Sequence, residues 1–316
     1  MRLPSGCAVG LDRLVLTPAA RALGRSGREL AGLLMPSLCV LCGRQDGTVC
    51  PECAPGLIAE LLHPFRAEQD AAALPLYPVR TRPRSSLQSL SARLPGGVVL
   101  PAVSSGDGDP PMSQGGSEPT LHPVPVVAAA RYGAEASRAL LAFKDHGRTA
   151  VAGYLRPAVH RALSAAPRLL EAQGPFTLVP VPTSAAGFRA RGYDPVEELL
   201  TGALPPGWQV APGWLTHRRR PFVAASRPRS SHAGNGSRQR RRRGQDRFRT
   251  TRRYAASAHL EPGRNVVVFD DVMTTGSTLA ATWHALEQAG IRPVGAVVVA
   301  AVTAPGTAPD EGLNSA

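Results

Sequence analysis

From Val124 onward the chain alternates short apolar runs with amphipathic stretches. Val124–Ala130 reads as a strand, and Ala134–Phe143 as a helix with Ala136, Leu140 and Phe143 on one face. Phe176–Val181 is a short buried-type strand among Pro180 and Pro182. Asn265–Phe269 is an almost continuous β-branched run, as expected of a central parallel strand covered on both faces. Ser277–Ala289 predicts a helix with Leu279, Trp283 and Leu286 on one side, stopped by Gly290 with Pro293 beyond it, and Val294–Val302 is another buried strand. This alternation predicts an α/β domain built on a largely parallel sheet. Upstream, an apolar-periodic stretch runs from Leu23 to Leu34 and stops at Pro36, and a short helical patch spans Leu57–Leu62.

Composition divides the chain further. Residues 66–122 hold eight Pro, eight Ser and six Gly, a mixture too poor in apolar side chains to offset its ordering entropy, and read as a disordered linker with a strand-like patch near Val98–Leu100. The expected division is therefore an N-terminal helix and cysteine module (1–65), the linker (66–122), an α/β domain (123–305) and a tail (306–316). Of the 316 residues, 43% are hydrophobic, which excludes a wholly disordered chain. No apolar run approaches the ~20 residues of a membrane helix. Asp12 and Arg13 interrupt the first thirty residues, so no secretory core is expected and a cytoplasmic protein without membrane insertion is.

Charge is concentrated in one place. The formal net charge is +13, and residues 217–253 alone carry 14 Arg against Asp246. That stretch is too charged for a core element and reads as an arm or mobile loop, with either a phosphate-tracking role or none. Its only aromatics are Phe222 and Phe248, so base stacking has little support. Lys144 is the sole lysine.

Cys39, Cys42, Cys50 and Cys53 follow the pattern C-x2-C-x7-C-x2-C. Each pair sets two thiolates on one tight turn, and Gly43 and Gly47 let the chain reverse between the pairs. Four sulfurs so placed suit a tetrahedral Zn²⁺ with no open position, hence a structural metal. Cys7 is left over as an inert thiol.

The most informative segment is Asn265-Val-Val-Val-Phe-Asp270-Asp271-Val-Met-Thr274-Thr275-Gly276-Ser277-Thr278. A buried strand ends in two adjacent acids, and a small hydroxylated loop then opens a helix whose first N–H groups have no internal partner. Gly276 permits close backbone approach, and Thr274, Thr275, Ser277 and Thr278 add hydroxyls, which together make a phosphate cradle. Several charge-assisted hydrogen bonds at ~1.5–3 kcal/mol each outweigh a helix-end term of ~0.3–1 kcal/mol. A nucleoside triphosphate loop would carry a Lys, which is absent here. Twin acids before a phosphate cradle suit the vicinal hydroxyls of a ribose instead. The plainer reading, Asp and Thr as helix caps, accounts for one or two of these residues. Arg189 and Arg191 follow the carboxyl end of a buried strand, where open α/β sheets bind ligands, and Arg pairs suit phosphate forks. Lys144 ends a helix, where both a helix-end role and an anion-site role stand open.

This segment resembles the phosphoribosyl-pyrophosphate (PRPP) loop of type I phosphoribosyltransferases, and within that superfamily the chain is similar to the ComF family of competence proteins. The resemblance includes the four-cysteine module, the Tyr132-Gly-Ala…Phe143-Lys144-Asp-His-Gly147-Arg148 block, Val179-Pro-Val-Pro182…Arg189-Ala-Arg191-Gly192-Tyr193, and the loop itself. It implies a Rossmann-like, parallel-sheet phosphoribosyltransferase domain preceded by a small zinc-ribbon-like module. It implies that Asp270 and Asp271 hold the ribose hydroxyls and Thr274–Thr278 the 5′-phosphate. Arg189, Arg191 and Gly192 would then face the pyrophosphate, with Mg²⁺ arriving with PRPP; Lys144 keeps both its readings, as a helix-end cation or as part of the anion site. The implied reaction is glycosyl transfer with pyrophosphate release. The implied setting is DNA uptake, beside single-stranded DNA and a competence helicase. The chain departs from the family in the arm, where His232, Asn235 and Arg243 stand in place of Gln, Leu and Asn while Gly234 and Arg240 match, and again directly after Arg191-Gly192-Tyr193, where Asp194-Pro195 replaces Asn-Gln. These departures bear on turnover more than on ligand binding. A non-catalytic nucleic-acid-binding accessory protein, and a PRPP or nucleotide sensor, are the alternatives.

Overall fold

The computed structural model describes residues 38–79, 120–218, 246–256 and 263–303. The helix expected at Leu23–Leu34, Cys7, the patch near Val98–Leu100, the middle of the arm and the tail lie outside the described residues. Directly after Cys53, helix α1 (Ala54–Glu60) starts with Pro55 in its first turn, where a missing N–H is tolerated, and buries Leu57. Strand β1 (Phe65–Arg66) and a 3₁₀ turn (Glu68–Asp70) follow. Strands β2 (Leu76–Val79) and β3 (Thr120–Pro123) pair antiparallel, with Tyr77 opposite His122, and form a small unit of their own over residues 76–123.

The main unit continues with β4 (Val126–Arg131), α2 (Ala134–Lys144), α3 (Ala152–Leu169), β5 (Phe176–Pro180), α4 (Ala185–Arg191), α5 (Pro195–Leu200) and β6 (Trp208–Val210). The two ends of the arm form an antiparallel ribbon, β7 (Leu215–His217) with β8 (Phe248–Thr250), before the short α6 (Arg252–Ala256). The chain then gives β9 (Asn265–Met273), α7 (Ser277–Glu287) and β10 (Gly295–Ala301).

The sheet order is β1-β4-β10-β9-β5-β6, with β1 antiparallel to β4 and the other neighbours parallel. This is the α/β architecture with a mostly parallel sheet that the apolar pattern predicts. Strand periodicity explains why the runs are continuous. Val127, Ala129, Val267, Phe269, Val297 and Val299 join one core cluster with α3, while Val126, Ala128, Val266, Val268, Ala296 and Val298 are equally buried on alternate positions. Helix α3 packs through Leu155, Val159 and Leu163, a stripe at four-residue spacing. Each such side chain contributes roughly 1.5–3 kcal/mol of burial. Pro157 and Pro167 sit inside this helix, which hides it from a propensity reading.

Three boundaries differ from the sequence reading. The expected linker is not disordered at either end: Ala67, Glu68, Ala71 and Leu74 are buried, Ala67 N–H donates to the Val126 carbonyl at 2.8 Å, and residues 76–79 and 120–122 lie in the paired strands β2 and β3. The polar and proline-rich residues that set the average lie between these ends. The arm is ordered at its roots, because Phe248 is buried and packs its ring on His217 at 4.9 Å. Strand β9 runs on through both acids to Met273, since β10 continues to pair with it as far as Ala301.

Candidate functional site

The carboxyl ends of β5 and β9 lie side by side, with Val181 N–H donating to the Phe269 carbonyl at 2.9 Å. Asp270 and Asp271 stand here and are nearly buried, at 8% and 6% exposure. They are not equivalent. Asp271 Oδ2 is ion-paired with Lys144 Nζ at 2.6 Å, and its Oδ1 accepts from Val272 N–H. Asp270 Oδ1 accepts from Asp271 N–H at 2.9 Å. Burial, reinforced by the neighbouring Asp271 carboxylate, pushes the Asp270 carboxyl up to about 8, against the opposing pull of that N–H and of Lys144. Lys144, on the last turn of α2, thus holds an acid of the site.

The loop between β9 and α7 leaves Thr274, Thr275 and Ser277 exposed and buries Gly276. Gly276 is the N-cap residue of α7 at φ 79°, and the helix starts with no side-chain cap hydrogen bond. Neither acid caps it, so the capping explanation of Asp270, Asp271 and the threonines does not describe this helix start. The left-handed backbone at Gly276 is the kind that favours glycine. The space its Cβ would enter is taken by Leu74, whose Cγ and Cδ2 would lie 2.8 Å away. Arg247, at the root of the arm, reaches Thr278 Oγ1 at 3.5 Å and stacks its guanidinium 5.5 Å from the Phe248 ring centroid.

Arg189 and Arg191 lie on the last turn of α4, a helix capped by Ser184, whose hydroxyl accepts from Gly187 N–H at 3.0 Å. Arg189 is exposed. Arg191 folds back over Gly187, and its buried Nε has no acceptor among the described residues. Gly192 ends the helix in the left-handed region at φ 76°. His217 Nε2 is hydrogen-bonded to the Pro182 carbonyl at 2.9 Å, which ties the arm's root to the turn after β5. Burial holds the His217 imidazole below its ordinary value.

The four cysteine sulfurs lie within 4.8 Å of one another. Cys42 and Cys50 Sγ are 3.6 Å apart, close to the ~3.8 Å expected between two sulfurs on one tetrahedral zinc. Cys50 N–H donates to Cys39 Sγ at 3.3 Å. Burial opposes the Cys39 thiolate, but N–H groups from Cys50, Cys42 and Leu41 outweigh it and bring the thiol down to about 6. Hydrogen bonding to Cys50 and Cys42 pushes Cys53 up to about 12. Four thiols so close compete for charge, and a divalent cation would relieve that competition. The donor set fits a closed, four-coordinate metal.

The sequence reading missed Arg247, Leu74, Ala73 and Glu60, which meet the site or its helices only through the fold. Residues 219–313 match the phosphoribosyl transferase domain family, a span that includes both acids and the loop. The adenine phosphoribosyltransferase of Mycolicibacterium vanbaalenii is 54% identical over 44 residues, 14% of this chain and 25% of that protein. The chain therefore spans about a quarter of the length of that relative.

Proposed function

We propose that this chain, with a phosphoribosyl transferase domain in its C-terminal part, binds Mg²⁺-PRPP and transfers the phosphoribosyl group to an acceptor, in the manner of the ComF family. The observation that carries the reading is the uncapped start of α7 immediately beyond two buried acids at the carboxyl end of the central strand. Thr274, Thr275, Gly276, Ser277 and Thr278 would hold the 5′-phosphate, and Asp270 and Asp271 the ribose hydroxyls. Asp270, keeping its proton near neutrality, can donate to a hydroxyl, whereas Asp271, oriented by Lys144, can accept from one. Arg189, Arg191 and Gly192 would face the pyrophosphate.

Mg²⁺ favours phosphate oxygens, water and one or two carboxylates. Asp271 is already paired to Lys144, so the ligand's own diphosphate would supply most of the coordination, with the two acids close by. In the reaction the C1–oxygen bond to pyrophosphate breaks as the acceptor's lone pair bonds to C1. The protein's share is positioning and stabilisation of the charge that develops on the ring. The four cysteines would hold a structural Zn²⁺. A cytoplasmic place in DNA uptake, beside single-stranded DNA and a helicase, extends the same reading.

Titration with PRPP tests it: Asp271→Asn should weaken binding at least about ten-fold, the worth of one charge-assisted hydrogen bond. Unaltered affinity would remove the ribose assignment. A pyrophosphate-release screen against bases, amines and water would identify the acceptor. The second reading, a nucleic-acid-binding accessory role, is favoured by the arginines concentrated in 217–253. If deleting residues 226–247 leaves DNA retention and its salt dependence unchanged, that reading fails.

A further inference from the structure

The donors of the proposed cradle are chiefly backbone N–H groups, which act together only if the backbone carrying them is fixed. Gly276, at its centre, is the residue type with the most conformational freedom, and α7 begins with no side-chain cap to restrain it. Something else must hold it. That restraint comes from residues 71–75, some two hundred positions earlier. Leu74, 6% exposed, fills the space beside Gly276 that a side chain would otherwise occupy, and Ala71 Cβ would lie 3.3 Å from a Cβ placed there. Ala73 N–H donates to the Thr275 carbonyl at 2.9 Å.

The segment is itself anchored at both ends without reference to the cradle. Glu68 accepts from Val126 N–H at 3.1 Å and from Arg66 Nε at 2.6 Å. At the other end Val124 N–H donates to the Pro75 carbonyl at 3.0 Å. Both anchors sit at the start of β4, so the segment is a strap pinned to the sheet whose middle presses on the loop.

We propose that residues 71–75 are a positioning element of the phosphate cradle, with Leu74 setting the backbone of Gly276 and Ala73 that of Thr275. The proposal rests on the sugar-phosphate reading of the loop. Leu74 acts through Gly276 and is a positioning residue, not a catalytic one. Its aliphatic seat predicts selectivity: ligands gripped by the 5′-phosphate depend on the strap, and a ligand gripped at the turn after β5 does not.

The test is calorimetric titration of the full chain with PRPP, ribose 5-phosphate and inorganic pyrophosphate, each with Mg²⁺. Leu74→Ala should weaken PRPP and ribose 5-phosphate about ten-fold, a modest share of what a 1 Å misplacement can remove. Pyrophosphate affinity should not change, and Leu74→Met should restore both sugar-phosphates. Should Leu74→Ala fail to fold, Ala73→Pro removes the N–H to Thr275 with Leu74 kept, and the same pattern is expected. Unchanged sugar-phosphate affinity in the folded variant overturns the strap, and so does an equal loss for pyrophosphate. If the unaltered protein binds neither sugar-phosphate, the reading of the loop falls first and the strap falls with it.

Discussion

Asp270 keeps a proton that an exposed aspartate would have lost some four pH units lower. The sign of the consequence follows from linkage. Between the ordinary aspartate value of about 4 and the folded value of about 8, the folded chain binds a proton that the unfolded chain does not. Stability from this group is therefore complete below about pH 4 and declines as pH rises toward 8, by at most about 1.4 kcal/mol per pH unit. Asp270→Asn should flatten that slope, raising the melting temperature of the unliganded protein most at pH 8 and hardly at pH 4. Differential scanning fluorimetry across that range checks it. Lys144→Met leaves Asp271 buried without its cation and should lower stability by about 1–3 kcal/mol, tempered by the partial exposure of Lys144. Lys144→Arg should recover most of this in urea unfolding. The acids, the hydroxyl loop and the cysteines were legible in sequence because each set is contiguous or closely spaced. Leu74, Glu60 and Arg247 were not, because each reaches its partner across 31 or more positions.

Helix α2 begins at Gly133, which has no side chain to cap it. Glu60 supplies the cap from α1, its Oε2 accepting from Ala136 N–H at 2.7 Å and its Oε1 from Glu135 N–H at 3.4 Å. A Cβ on residue 133 would lie 2.6 Å from Glu60 Oε1, so a side chain there would have to push this carboxylate out of its capping position. Burial, with Glu135 nearby, pushes the Glu60 carboxyl up. Glu60→Ala should lower stability by about 1 kcal/mol, as loss of an N-cap does, and Glu60→Gln, which keeps an acceptor, by less. Paired thermal melts decide it. At this scale the sequence anticipated α2, α7, β5, β9 and β10 from their apolar pattern. It overlooked α3 because of its two prolines, and it ended β9 early because acids are rare in strands.

For the whole molecule, the four-cysteine module and the α/β sheet form one unit, joined by α1, by β1 on the edge of β4, and by Arg161 donating to the Leu61 carbonyl at 3.1 Å. Metal loss should therefore be felt throughout. Stripping with a strong chelator under reducing conditions should release about one zinc per chain to a colorimetric indicator and lower the melting temperature by several degrees, roughly 1–3 kcal/mol of stability. Cys42→Ser should reproduce much of that shift. The fold class was legible because parallel strands read as apolar runs. The boundary at residue 66 was misplaced because composition averages over a window, whereas burial is decided residue by residue.

The short antiparallel strand β1 has one more effect. It covers the flank of β4 with Phe65 and Arg66, whose Cα partners are Ala128 and Val127. A fragment cut at the compositional border near residue 123 would shed that cover and bare a row of unsatisfied peptide groups on an aliphatic ribbon. Such a fragment should stick to its sister copies and precipitate, even with every proposed ligand-binding side chain retained.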